Sequence, residues 1–247
     1  MAYVPLSNNK HQDLLLNKGN LFFLENQPIV SIFSSEVSLA ALDLPIAFVS
    51  TEKSISLVAI LSLERESNAQ IDPQGNWMGG YIPVNIRNYP FSTACRGNQG
   101  TILVEHDSEW LSTEQGDPLF DSQRNPTELL SNYIQSLKKA VPAPSLEQSA
   151  LKLIQDTELL EVWTEVPRKL YRINLQSLNN LSEDAFLQLR KNGALPVIYA
   201  HLFSLHRIER IKYLAKQKLN IAQKQQKAAS SPKAMVDFED NIFRFDI

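Results

Sequence analysis

One cysteine among 247 residues, Cys95, leaves this chain with no internal disulfide and no cysteine-built metal cluster. The fold therefore does not depend on oxidation. An excess of either charge is also missing. Lys and Arg number 24 against 27 Asp and Glu, a net charge of -3, so no broad basic field is available to hold nucleic acid or an anionic membrane. Long hydrophobic runs are lacking too: stretches such as Leu57-Val-Ala-Ile-Leu61 fall far short of the ~20 residues of a membrane span. The first ten residues carry no basic region followed by an apolar one, so Sec-type export is not expected and the cytoplasm is the expected location. A signal placed elsewhere in the chain stays open.

Motifs are as sparse. Only eight glycines are present, and none are spaced as a dinucleotide fingerprint or a P-loop. There is no Gly-x-Ser-x-Gly elbow, no HExxH and no twelve-residue EF-hand loop, so no cofactor and no metal is expected. What remains is ordinary for a globular body: 43% hydrophobic and 21% charged residues. A chain of this length buries roughly 70–75% of its unfolded surface.

Taken in order, the segments predict a mixed α+β fold, strand-rich over 1–121 and helix-rich over 122–219. Leu21–Leu24 and Ile29–Phe33 read as strands around the turn Asn26-Gln27-Pro28, followed by a short helix to about Leu42 and strands at Ile46–Val49 and Ile55–Leu61. Thr93–Cys95 and Thr101–Val104 read as a strand pair across Gly97-Asn-Gln-Gly100. Helices are expected from Pro126 to about Ala140 and from Leu146 to about Leu160. A two-stranded unit around Pro167-Arg168 follows, then a helix from Ser182 stopped by Asn192-Gly193, then one long helix from Ala194 into the 220s. No internal repeat is found. Residues 220–235 are Gln-, Lys-, Ala- and Ser-rich with little to bury and read as a flexible linker or a frayed helix end.

The end of the chain, 236–247, is an acidic-aromatic tail. Phe243, Phe245 and Ile247 alternate with Arg244 and Asp246, the period of a half-buried strand. Such a segment can add a strand to an exposed sheet edge, on its own body or on a partner.

Two constellations stand out as binding surfaces. In Gly75–Phe91, Gly79 and Gly80 allow close backbone approach, Trp77, Tyr81, Tyr89 and Phe91 supply amphipathic surface, and Arg87 can meet a carboxylate or phosphate. The competing reading is a turn and a short helix whose aromatics pack in the core. On the long helix, Tyr199, Phe203, His206 and Arg210 step by four, three and four and share a stripe. His201 and His206 lie five apart, about 140° around an ideal helix, so they do not form a metal pair. His106-Asp107 follows a strand, where neighbours point to opposite faces. Asp107, Glu109, Glu114, Asp117 and Asp121 supply oxygens of the kind calcium uses, without the loop that arranges them. Cys95 reads as a small buried hydrophobe. No catalytic constellation emerges.

Four segments resemble the bacterial SapC family: Tyr3-Val-Pro-Leu6 with Asp43–Val49; Gly75–Pro83 with Arg87–Phe91; Leu111–Asp121 with Pro126-Thr127; and Gly193–Leu205. The family name implies association with a bacterial surface layer. Members look like neighbours of TonB-dependent uptake systems and of flavin-dependent halogenase-like proteins, and the resemblance supplies no catalytic residue. Three readings follow. The first is a non-enzymatic accessory protein binding a protein or peptide partner in an envelope or uptake pathway, through Trp77, Gly79, Gly80, Tyr81, Arg87, Tyr89, Phe91, His206 and Arg210. The second is an enzyme or enzyme subunit beside a flavin-dependent partner, which needs Arg87, His201 or His206 to converge with carboxylates. The third is a surface-layer component exported by a C-terminal signal.

Overall fold

In the computed structural model, residues 2–52, 54–96, 99–141, 144–166 and 168–230 are described. Residues 220–230 of the expected linker are helical, while 231–235 and the tail with Phe243, Phe245 and Ile247 lie outside the described residues, as do the 97–98 turn, Pro142 and Pro167.

Alternating apolar runs make the strands β1 (Tyr3–Pro5), β2 (Leu15–Leu16), β3 (Ile29–Ile32), β4 (Ile46–Ser50) and β5 (Ile55–Ile60). After them come β6 (Phe91–Arg96), β7 (Gln99–Glu105), β8 (Leu111–Ser112), β9 (Asp117–Pro118), β10 (Leu160–Val162) and β11 (Tyr171–Ile173). They form three antiparallel sheets, ordered β1-β7-β6, β10-β11-β4-β5-β3 and β8-β2-β9. The five-stranded sheet is central, and Ile46, Ala47 and Phe48 of β4 are fully enclosed because helices or loops cover both its faces.

The early helices are single turns: α1 (Asn8–His11), α2 (Val37–Ala40) and α3 (Val84–Arg87). The long ones come later, α4 (Glu128–Ala140), α5 (Pro144–Asp156), α7 (Glu183–Lys191), α8 (Ala194–Ser204) and α9 (Ile208–Ser230), with the five-residue α6 (Leu175–Asn179) between α5 and α7. Their starts are chemically explicit. The hydroxyls of Thr127 and Ser182 accept from the third residue onward, Leu130 and Ala185, satisfying amides that have no partner inside the helix. Gly193, at φ 72°, ends α7 in a left-handed conformation that costs glycine nothing.

Two expectations are corrected. Phe22–Leu24 is a 3-10 turn rather than a strand, since Leu21 N–H donates to Gly75 O and Leu24 N–H to Leu21 O. The long C-terminal helix is broken at Leu205–Arg207. There Ser204 Oγ donates to His201 O (2.7 Å) and accepts from Ile46 N–H (2.9 Å), so the helix end is engaged with β4.

A small repetition also exists where none is expected. In both Asp72–Asn76 and Asp121–Asn125, the Asp Oδ1 accepts from the second and fourth following amides at 2.8 Å. Its Oδ2 accepts from the Asn side chain, and Gly75 and Arg124 take positive φ, 81° and 65°. The first of these loops sets the entry to the Gly75–Phe91 segment.

Candidate functional site

Helix α2 carries an acid at each end, and both reach the same segment. Glu36, in the 3-10 turn before α2, is buried at 4% exposure. Its Oε1 accepts from Phe33 N–H (3.0 Å), while Oε2 accepts from Tyr81 O–H (2.8 Å) and Val84 N–H (2.8 Å). Asp43, just past α2, accepts from Gly80 N–H (2.6 Å) and Tyr81 N–H (3.0 Å) through Oδ2. Its Oδ1 forms an ion pair with Arg210 Nε at 3.1 Å, close enough for charge but not aligned as a hydrogen bond. Arg210 also extends Nη2 to Met78 O at 3.4 Å. Residues 78–84 are thus fixed by two carboxylates and one guanidinium.

Charge-assisted bonds of this kind are about twice as strong as neutral ones, so they can hold a glycine loop in one shape. Tyr81 feels them directly. Burial, the bond to Glu36 and that carboxylate's charge push its phenol well above the usual range, so it stays a donor throughout ordinary pH. Arg87, exposed at the end of α3, lies over the Tyr81 ring with its guanidinium carbon 5.5 Å from the centroid.

The loop leaves no room at Gly79. A Cβ there would sit 2.6 Å from Trp77 Nε1, 2.7 Å from Asp43 Oδ2 and 2.9 Å from Gln70 Oε1. At Gly80, whose nearest such contact is 3.7 Å, a side chain fits. Gln70 is fully buried, and among the described residues neither its amide atoms nor Trp77 Nε1 has a hydrogen-bond partner.

The candidate residues divide between two fates. Trp77, Gly79, Gly80, Tyr81, Arg87 and Arg210 are brought together around Asp43 and Glu36. Tyr89 and Phe91 turn inward. Tyr89 stacks on Phe23 at 3.7 Å and meets Trp110 edge-on, and Phe91 is wholly buried beside Tyr133. His206 is exposed in the turn between α8 and α9, and of that stripe Arg210 is the residue that reaches the loop. Tyr199 and Phe203 stack on each other at 6.3 Å and face solvent.

His201 is enclosed. Its Nε2 accepts from Ile173 N–H (3.0 Å) and its Nδ1 donates to Ile46 O (2.9 Å), pinning α8 to β11 and β4. Burial lowers its pKa to about 4, so it is neutral and structural. His106 is exposed in the turn after β7, and among the described residues no group of His, Cys, Asp and Glu could hold a metal ion. The Cys95 side chain is outside what is described.

Glu36, Asp43 and Gln70 are the site residues that sequence reasoning missed. Asp43 had a signal, since it opens the Asp-Leu-Pro segment of the family resemblance. Glu36 and Gln70 had none: Tyr81 and Val84, which Glu36 holds, lie tens of residues away, and the Gln70 side chain has no hydrogen-bond partner among the described residues.

Among the described residues no helix is long and apolar enough to cross a membrane. The family model described as SapC matches residues 6–211. No curated protein and no solved structure matches the chain.

Proposed function

The chain belongs to the SapC family, and from that premise we propose that it is a non-enzymatic accessory protein of a bacterial envelope or uptake pathway, binding a protein or peptide partner from the cytoplasmic side. The observation that carries this reading is the Asp43 carboxylate, which holds the amides of Gly80 and Tyr81 while facing Arg210. It fixes a surface loop in advance, and a loop that is already ordered loses less entropy when a partner binds.

Around that loop the chemistry suits recognition. Trp77 and Tyr81 offer half-buried aromatic surface, and Arg87 offers an exposed fork for a partner carboxylate. Helix α2 packs against α8, whose outward Tyr199 and Phe203 add apolar surface. The carboxylates present are already engaged by backbone amides and by Tyr81 and Arg210. Arg87, His201 and His206, of which an enzymatic reading needs one or another converging with carboxylates in a pocket, occupy three separate environments.

The test uses the room at Gly80. With p-benzoylphenylalanine at position 80, irradiation in the native host should cross-link one partner protein. The same residue at the exposed Lys138 on α4 should not. Loss of the cross-link in Trp77→Ala would support the assignment; identical products from 80 and 138 would contradict it.

A further inference from the structure

A cleft of about 280 Å³ lies along the outer edge of β3, and its walls say what kind of occupant it takes. Ile29, Val30 and Ser31 all line it. Successive side chains of a strand point to opposite faces, so three consecutive lining residues place the cleft beside the strand rather than over one face. β3 is the last strand of the five-stranded sheet.

The backbone register shows which groups are free there. Leu61 N–H donates to Pro28 O, and Val30 is paired with Ala59, so residues 28 and 30 turn their peptide groups toward β5. Ile29 and Ser31 therefore turn theirs outward. Asn85 Nδ2 takes the Ser31 carbonyl at 2.8 Å, covering that end of the edge. Among the described residues the N–H and C=O of Ile29 have no partner on this side. Of the remaining walls, Phe23, Leu24, Val58, Ile86 and Tyr89 are mainly apolar, Tyr3, Gln27 and Ser92 add polar groups, and no charged side chain lines the cleft.

We propose that this cleft receives the chain's own C-terminal segment, Phe243–Ile247, as a short added strand at the Ile29 edge. The segment has the required pattern: Phe243, Phe245 and Ile247 fall on one side and Arg244 and Asp246 on the other. The geometry of the chain permits it. Lys218 Nζ donates to Asn68 O (3.2 Å), and Asn68 Nδ2 donates to the carbonyl of Leu24, itself a wall of the cleft. The Lys218 side chain on α9 is thus linked through Asn68 to a wall of the cleft. From Lys218 to Ser230 the helix extends by about 18 Å. The residues 231–242 can span at most ~40 Å when extended, enough to return. The inference does not rest on the partner-binding reading, because the cleft is lined by the inward half of the Gly75–Phe91 segment.

The test uses the full chain with p-benzoylphenylalanine in place of Phe245, irradiated at low concentration as an equal mixture of light and heavy isotopic copies. The expected products join position 245 to residues 23–31 or 85–92 within one copy. A Ser92→Trp variant, which fills the cleft from β6, should lose them. Amide exchange at Ile29 gives an independent readout: removing residues 236–247 should speed it at least tenfold, which needs no variant within the body. Products joining light to heavy copies, products with a host protein instead of the body, or unchanged exchange at Ile29 would each overturn the proposal.

Discussion

Residues 77–82 and 83–91 are continuous in the chain and similar in composition, yet they are held by different forces. The first stretch is anchored through its backbone by Asp43 and Arg210, with Gly80 exposed and Trp77 and Tyr81 half-buried. The second is anchored by its side chains: Ile86, Tyr89 and Phe91 enter apolar clusters. Where carboxylates supply the anchoring, side chains stay at the surface and remain usable. Where aromatic packing supplies it, Tyr89 and Phe91 are withdrawn from the surface and Arg87 is the side chain that stays exposed. The C-terminal helices repeat the division, with His201 enclosed between β4 and β11 while His206 and Phe203 face solvent.

Phe91→Ala should give the largest effect on the packing side. Truncating a fully buried phenylalanine costs about 3–5 kcal/mol, seen as a lowered denaturation midpoint in urea. A loss below about 1 kcal/mol would mean the two stretches are not held differently.

Acid should probe the same side through His201. Its folded pKa of about 4 lies below the ordinary 6.5, so the unfolded chain binds the extra proton. The stabilisation is complete above pH 6.5 and is lost as pH falls toward 4, by about 3 kcal/mol at most. His11, also lowered chiefly by burial, acts in the same direction. Urea midpoints measured across that range should fall, and a flat profile would remove His201 from the packing side.

On the loop side the neighbouring glycines should part company. Gly79→Ala forces Trp77, Asp43 or Gln70 to shift and should cost about 1–3 kcal/mol, the usual range for overpacking. Gly80→Ala, whose Cβ would meet Asp43 Oδ2 at 3.7 Å, an ordinary van der Waals contact, should stay within about 0.5 kcal/mol of the parent. Equal effects at both positions would mean the loop is not fixed as described.

Much of the fold was legible because its determinants are local. The caps of α4 and α7, the β6–β7 hairpin and the β10–β11 pair each follow from residues within a few positions of one another. The strand-then-helix order over the two halves was legible for the same reason. The misses were long-range. Leu21–Leu24 is an apolar run whose period cannot distinguish strand from turn, and Gly75 decides it. The break after Ser204 depends on Ile46, 158 residues away. In the site, composition showed that Gly75–Phe91 was unusual but not which aromatics faced inward. That depends on Glu36 and Asp43, whose partners are 37 to 48 residues further along the chain.

Arg87 offers the most direct test of the recognition surface. It is exposed and its guanidinium meets Tyr81, so Arg87→Ala should leave the denaturation midpoint within about 0.5 kcal/mol of the parent. The measurement is capture of the partner cross-linked from position 80, by parent and Arg87→Ala proteins at matched concentration. The account predicts that the variant, still folded, loses at least nine-tenths of the captured partner. Undiminished capture by the folded variant would contradict it.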